Sequence, residues 1–315
     1  MPLPLRLDRD RPRIDGALSS ALAGDSLLLE IARYHVGVGN GLGSEAKRLR
    51  PALVLFVASE LGGDDARALD AAVAVELAHS FSLIHDDIQD GDSERRGRET
   101  VWKRYGVPQA INAGDLLATL SVRHALRAGR EEARVLAEAT AEMIEGQGKD
   151  VAWEGVEVGV DDYLGMIDQK TGALLRASLD LGAIVADAPR ALRTDLAAFG
   201  ADLGRSFQIV DDLEDTWSGG SDLRRRKATL PLSIAWERAG ERDRVLLLRR
   251  GGRDLSAEES EEVRGLLERS GARDAAQGIA RGHLDRARER LEALPFSAEG
   301  KEALGALLAE LGRLR

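Results

Sequence analysis

The chain has 315 residues, 43% hydrophobic and 31% charged, with a formal net charge of −10. This is the composition of a globular protein, and the acidic balance speaks against a nucleic-acid binder, which would carry a basic stripe. With no cysteine in the sequence, disulfides, thiolate catalysis, zinc–thiolate sites and iron–sulfur centres are excluded together.

The opening residues, Met1-Pro2-Leu3-Pro4-Leu5-Arg6, hold no signal-peptide core, and no apolar run reaches the length of a membrane span. The expectation is a cytoplasmic protein. Ala, Leu, Glu and Arg are abundant and aromatics make up only 4%, which favours helix throughout. The first basic word, Lys47-Arg48-Leu49-Arg50-Pro51, precedes an apolar helix predicted from Ala52 to Leu61. Gly62-Gly63-Asp64-Asp65 ends that helix and caps the next. The second helix should run through Asp86-Asp87-Ile88-Gln89-Asp90 to about Gly91. Arg95-Arg96-Gly97-Arg98 follows. No proline stands between Pro108 and Pro189, which leaves room for several long helices, with Lys170-Thr171-Gly172 among them. Gly200 and Gly204 are expected to punctuate the approach to Asp211-Asp212-Leu213-Glu214-Asp215, and Gly219-Gly220 to close the loop after it. The run Arg224-Arg225-Arg226-Lys227 comes next. From Ser256 the chain reads as amphipathic helices, with Leu284, Ala287 and Leu291 at helical spacing. No alternating strand, hairpin signal or linker is visible. The fold expected is all-α, in a single domain over 1–315.

The chemistry lies in the two copies of Asp-Asp-x-x-Asp. Outer aspartates at i and i+4 share one helix face, where like charges destabilise the helix unless cations neutralise them. Both words sit behind apolar runs, Phe81-Ser82-Leu83-Ile84-His85 and Phe207-Gln208-Ile209-Val210, so they are not simply solvated faces. Oxygen-only ligands suit Mg²⁺, which takes few carboxylates and fills its shell with water and substrate phosphate. The four basic clusters beside them add Arg forks and Lys point charges for phosphate oxygens. On an ideal wheel His79 falls within about 20° of the Asp86–Asp90 stripe, two turns earlier. His85, next to Asp86, could serve either packing or the site.

Together these residues resemble the trans-polyprenyl diphosphate synthases of the isoprenoid synthase family. The resemblance rests on Lys47-Arg48-x-Arg50-Pro51, Glu76-Leu77-x-His79, the first aspartate word, and Arg95-Arg96-Gly97 with Thr100. It continues through Ala113-Gly114-Asp115, Lys170-Thr171, Phe207-Gln208 with the second word, Ser221-Asp222-Leu223 and Lys227-x-Thr229-Leu230-Pro231. It implies a bundle of long helices around a central cavity, a homodimer, and three Mg²⁺ ions. Asp86, Asp90 and Asp211 would be the firmest metal ligands, supported by Asp87, Asp212 and Asp215. Arg95 and Lys227 would hold the allylic prenyl diphosphate. Lys47, Arg50, His79 and Arg96 would hold isopentenyl diphosphate. Lys170, Thr171 and Gln208 would line the catalytic centre where the carbocation forms.

Two positions depart from the family pattern. Glu45-Ala46 stands where two glycines are usual, and the segment Trp217-Ser218-Gly219-Gly220 lacks a usual lysine. By the same resemblance, Phe81 and Ser82 are the chain-length residues. One bulky ring with a small neighbour points to the C20 product, geranylgeranyl diphosphate, with farnesyl diphosphate or a longer product as the alternative. The rival readings are a class I terpene cyclase, disfavoured by the full second aspartate word and the isopentenyl-site residues, and a non-catalytic synthase subunit, disfavoured because both words are intact.

Overall fold

The computed structural model describes residues 3–39, 46–219, 221–247 and 254–313. Glu45 and Gly220, singled out in the sequence, lie outside the described residues. In chain order the helices are α1 (Leu5–Asp8), α2 (Arg11–Ala21), α3 (Leu27–Val36), α4 (Leu49–Glu60) and α5 (Asp65–Asp90). After a short hairpin come α6 (Val101–Tyr105), α7 (Val107–Ala128), α8 (Arg130–Ala152) and α9 (Val160–Ile167), continued by a π-helical turn at Asp168–Gly172. Then follow α10 (Ala173–Val185), α11 (Arg190–Ser218), α12 (Ser221–Arg225), α13 (Leu230–Arg238) and α14 (Glu241–Leu247). The last three are α15 (Ala257–Arg269), α16 (Ala272–Ala293) and α17 (Ala298–Leu311). The all-α expectation holds, and among the described residues no helix is long and apolar enough to cross a membrane.

Local signals set the boundaries of α5. The Asp64 carboxylate accepts from the Arg67 N–H at its start, and Gly91, left-handed at φ 66°, closes its end. The helix expected from Ala52 begins earlier, at Leu49, because Pro51 falls within the first turn, where its missing N–H costs nothing. The expectation of no strand is corrected at one point. Glu94–Arg95 pairs antiparallel with Arg98–Glu99 across a two-residue turn in which Arg96 and Gly97 both take positive φ, 53° and 70°. Strands this short show no alternation to read. A second correction concerns Gly200 and Gly204, which do not interrupt α11. Gly204 instead permits close packing, since a Cβ there would lie 3.0 Å from the Gly172 Cα.

The chain divides into two compact units. The first comprises Met1–Thr140, Arg176–Ala197 and Leu294–Ala306. In it α5 packs on α7 and α4. Small buried residues occur on both helices, Ala71, Ala74 and Ala78 on α5 and Ala110, Ala113 and Gly114 on α7. A side chain at Gly114 would collide with the His85 ring, and the Ser121 hydroxyl donates to the Ala74 carbonyl at 2.8 Å. The second unit comprises Ala141–Leu175, Ala198–Ala293 and Leu307–Arg315. Its core gathers Tyr163, Met166, Ile167, Ile209, Leu213, Leu230, Ile234, Leu267 and Ala276 from α9, α11, α13, α15 and α16. The amphipathic tail is as expected: Leu284, Ala287 and Leu291 are buried.

Candidate active site

In the first unit, the basic word ahead of α4 divides its labour. Arg48, left-handed at φ 53° and 3% exposed, is consumed by the fold. It donates to Glu76 (2.6 Å), to Asp15 (2.9 Å) and to the Val36 carbonyl (2.7 Å). Arg50, two residues on, meets His79 of α5 at 3.1 Å between Nη1 and Nε2. A guanidinium can only donate, so Nε2 accepts and the proton of a neutral His79 sits on Nδ1. Burial, then the charges of Arg50, Arg96 and Arg95, press the His79 pKa well below its ordinary value. Burial also lowers Arg50 to about 10, with Glu76 opposing and Arg96 adding to the fall. Arg96 is likewise lowered, first by burial. Cations pressed toward deprotonation make a region short of negative charge, which an anionic ligand would relieve. Lys47 is exposed at the edge of this segment.

The first aspartate word ends α5. Asp86 and Asp90 are half-buried, whereas Asp87 is 1% exposed. The Asp87 Oδ1 accepts from Arg95 Nε at 2.6 Å, while its buried Oδ2 has no hydrogen-bond partner. Burial raises the Asp87 carboxyl to about 6 against the opposing pull of Arg95. The arginine turn is pinned in place, because the Asp92 carbonyl accepts from both Thr100 Oγ1 and Trp102 Nε1 at 2.8 Å. Phe81 is buried and stands edge-on to the His85 ring, with centroids 5.8 Å apart. Ser82 is half-buried and its hydroxyl donates to the His79 carbonyl at 2.9 Å.

In the second unit, the word on α11 repeats this division. Asp211 is exposed and Asp215 half-buried, but Asp212 is 3% exposed. Asp212 accepts from the Tyr163 hydroxyl (2.5 Å), from Gln208 Nε2 (2.9 Å) and from the Leu230 N–H (3.2 Å). Burial raises its carboxyl to about 8, and the Tyr163 and Gln208 hydrogen bonds only partly offset this. Thr171 Oγ1 donates to Gln208 Oε1 at 2.6 Å, so Thr171, Gln208 and Asp212 form one connected chain. Asp215 Oδ2 accepts from the Asp222 N–H at 2.9 Å. Lys170, on the π-helical turn, donates to Asp150 at 2.5 Å, and Lys227 approaches Asp150 at 3.7 Å and Asp222 at 3.9 Å.

The structure therefore brings together Arg50, His79, Arg95, Arg96 and Asp87 in one unit, and Lys170, Thr171, Gln208, Asp212 and Lys227 in the other. Sequence reasoning missed Tyr163 and Asp150, and it singled out Glu76 without its role as the partner of Arg48. The only signal for Asp150 was the glycine pair Gly146 and Gly148 just ahead of it, unusual inside a helix. Among the described residues no three His, Asp or Glu side chains already converge as a metal cage. The available donors still fit Mg²⁺. They are carboxylate oxygens at i and i+4 on accessible helix faces, and Mg²⁺ needs only one or two carboxylates besides water and substrate phosphate.

Comparison with known proteins identifies the family. The sequence pattern of the family described as Polyprenyl synthetase matches residues 28–267. The chain is 38% identical over 285 residues to the (2E,6E)-farnesyl diphosphate synthase of Mycobacterium tuberculosis, covering 82% of this chain and 79% of that one. It is 39% identical over 301 residues to the geranylgeranyl diphosphate synthase of the same organism, covering 88% and 84%. Among solved structures it resembles the geranylgeranyl pyrophosphate synthetase of Pyrococcus horikoshii, with a TM-score of 0.87, 33% identity and 98% of each chain covered.

Proposed function

Because the chain belongs to the polyprenyl synthetase family, we propose that it joins isopentenyl diphosphate head-to-tail to an allylic prenyl diphosphate and stops at the C20 product. The protein is a prenyltransferase of short-chain type. The observation that carries the reading is the division of labour within both aspartate words: the middle carboxylate is buried and bonded, while the outer ones are half-buried or, at Asp211, exposed.

Asp86, Asp90, Asp211 and Asp215 would hold Mg²⁺, three ions in this reading. When bound, the metal supplies the Lewis-acid neutralisation that lets a diphosphate leave. Asp87 and Asp212 hold the surroundings of these ligands in place. Arg95 and Lys227 grip the allylic diphosphate, while Lys47, Arg50, His79 and Arg96 grip isopentenyl diphosphate. Holding both substrates by their diphosphates would convert a bimolecular step into an oriented one. The allylic C–O bond breaks, leaving both electrons on the diphosphate. The isopentenyl double bond attacks the resulting cation, and a proton then passes to the departed diphosphate. Thr171 and Gln208 present dipoles to the cation; they are already bonded to each other and do not act as trapping nucleophiles.

Product length is assigned from Phe81, because farnesyl and geranylgeranyl synthases are matched almost equally well. A buried ring two turns before the end of the first word, beside the small Ser82, is the proposed floor for the growing tail. The homodimer is proposed on α7, where Val107, Ile111, Val122 and Leu126 are exposed. They fall within an arc of about 100° on an ideal wheel, an apolar stripe that a second copy would cover.

The test is product mass from the purified protein alone with Mg²⁺, labelled isopentenyl diphosphate and an allylic starter. A C20 prenyl diphosphate is expected, with longer products from Phe81→Ala and shorter ones from Ser82→Phe. A cyclised hydrocarbon formed without isopentenyl diphosphate would instead establish a cyclase.

A further inference from the structure

Lys170 and Lys227 come from separate elements, the π-helical turn after α9 and the segment after α12, yet both converge on a single carboxylate. Asp150, near the end of α8, is buried at 4% exposure and lies 2.5 Å from the Lys170 ammonium and 3.7 Å from that of Lys227. The two ammonium groups are thus within about 6 Å of one another, a separation at which like charges in a partly dry site repel strongly. Burial works to raise the Asp150 pKa, but the two ammonium charges outweigh it and hold the carboxyl below its ordinary value.

The backbone is arranged to bring these groups close. A Cβ at Gly146 would collide with the backbone nitrogen of Lys170, so glycine lets the π-helical turn lie directly on α8, one turn before Asp150. The Lys227 side is tied to the same end of α8. The Gly155 N–H donates to the Arg226 carbonyl at 3.0 Å, and Arg225 pairs with Glu154 at 2.7 Å.

We propose that Asp150 is a positioning residue, a buried counter-charge that sets the spacing of Lys170 and Lys227 so that both ammonium groups grip one allylic diphosphate. This rests on the proposed role of Lys227 as an allylic diphosphate contact and extends that role to Lys170, which the family resemblance puts at the catalytic centre. It also explains how a lysine can stand beside the developing allylic cation: the Asp150 charge offsets it. Without that carboxylate the two ammonium groups move apart, and the diphosphate must order them as it binds.

Steady-state kinetics of Asp150→Asn, Asp150→Glu, Lys170→Ala, Lys227→Ala and the double variant Asp150→Asn/Lys227→Ala test this, with folding checked by circular dichroism and Tm. For Asp150→Asn, kcat/KM for the allylic substrate should fall by about 100-fold while KM for isopentenyl diphosphate stays within about twofold. Asp150→Glu, which keeps the charge but moves it by one methylene, should lose about tenfold and so covers the case in which the asparagine variant does not fold. In the Lys227→Ala background the asparagine change should cost only about tenfold, the non-additivity expected of residues acting together. Equal cost in both backgrounds, or a lowered Tm with wild-type allylic kinetics, would overturn the proposal. If Lys170→Ala and Lys227→Ala are damaged while both folded Asp150 variants are not, the Asp150 assignment alone fails. If neither lysine variant changes allylic kinetics, the diphosphate reading of the lysines fails and takes this one with it.

Discussion

Asp87 and Asp212 occupy the same place in two copies of one word, and each spends its carboxylate on a neighbour, Arg95 in one case and Tyr163 with Gln208 in the other. The sequence could show that six aspartates formed two words. It could not show which oxygens were already committed, because Tyr163 and Asp212 lie 49 residues apart and meet only in the folded chain. The same holds for Arg48, whose commitment to Glu76, Asp15 and the Val36 carbonyl shows only in the folded chain, while Arg50 meets His79. Side-chain roles at the anion sites make a kinetic prediction. Arg96→Ala or His79→Ala should raise KM chiefly for isopentenyl diphosphate, and Arg95→Ala chiefly for the allylic substrate, each by about tenfold or more. Initial rates with one substrate varied at a time would read this, and the reverse pattern would contradict the assignment. His35 makes a second one. Buried first of all, and then facing Arg95, Arg96 and Arg98, it has a pKa lowered to about 3, although its bond to the Ser80 backbone works the other way. The unfolded chain therefore takes up a proton near pH 6.5 that the folded chain refuses. The stability contributed by a neutral His35 is complete above about pH 6.5 and is lost as pH falls toward 3, by up to about 1.4 kcal/mol per pH unit. Urea midpoints of wild type and His35→Leu between pH 7 and pH 5 should diverge, with the wild type losing more. Parallel curves would refute the burial argument.

Elements were legible wherever the signal was local. The Asp64 cap and the Gly91 terminator of α5 lie where the residue types place them, and Ser256 opens α15 in a capping box with Glu259. Gly204, expected to punctuate a helix, was misleading for a physical reason. At Gly204, Gly146 and Gly114 the missing Cβ serves packing against another element, not a turn, and a partner distant in sequence leaves no trace beside the glycine. Gly146→Ala should force the π-helical turn off α8, at a cost of about 1–3 kcal/mol for overpacking and a matching loss of allylic kcat/KM. Gly148→Ala, with nothing within 4 Å of its added Cβ, is the control and should be neutral or stabilising by up to about 1 kcal/mol. Thermal unfolding of the pair decides this; equal effects at the two positions would remove the close-approach argument.

At the scale of the whole molecule, the all-α class followed from composition, and the family from a set of short words spread over nearly the whole chain. What composition and spacing could not supply was the internal accounting of charge. An acidic protein of net charge −10 keeps two half-buried, pKa-lowered arginines, Arg50 and Arg96, in one unit and a lysine pair on one buried carboxylate in the other. Such an arrangement is costly unless anions bind to it. The proposal under test is that each aspartate word contributes, through Mg²⁺, to the chemical step. Single-turnover formation of elongated product by Asp86→Asn and by Asp211→Asn, at saturating Mg²⁺ and both substrates, tests it most directly. Removing a like charge from an acidic helix face leaves the helix no less stable, so both variants should keep wild-type circular dichroism. The rate of the chemical step should fall by about 1,000-fold in each. A wild-type rate in either variant would contradict the account.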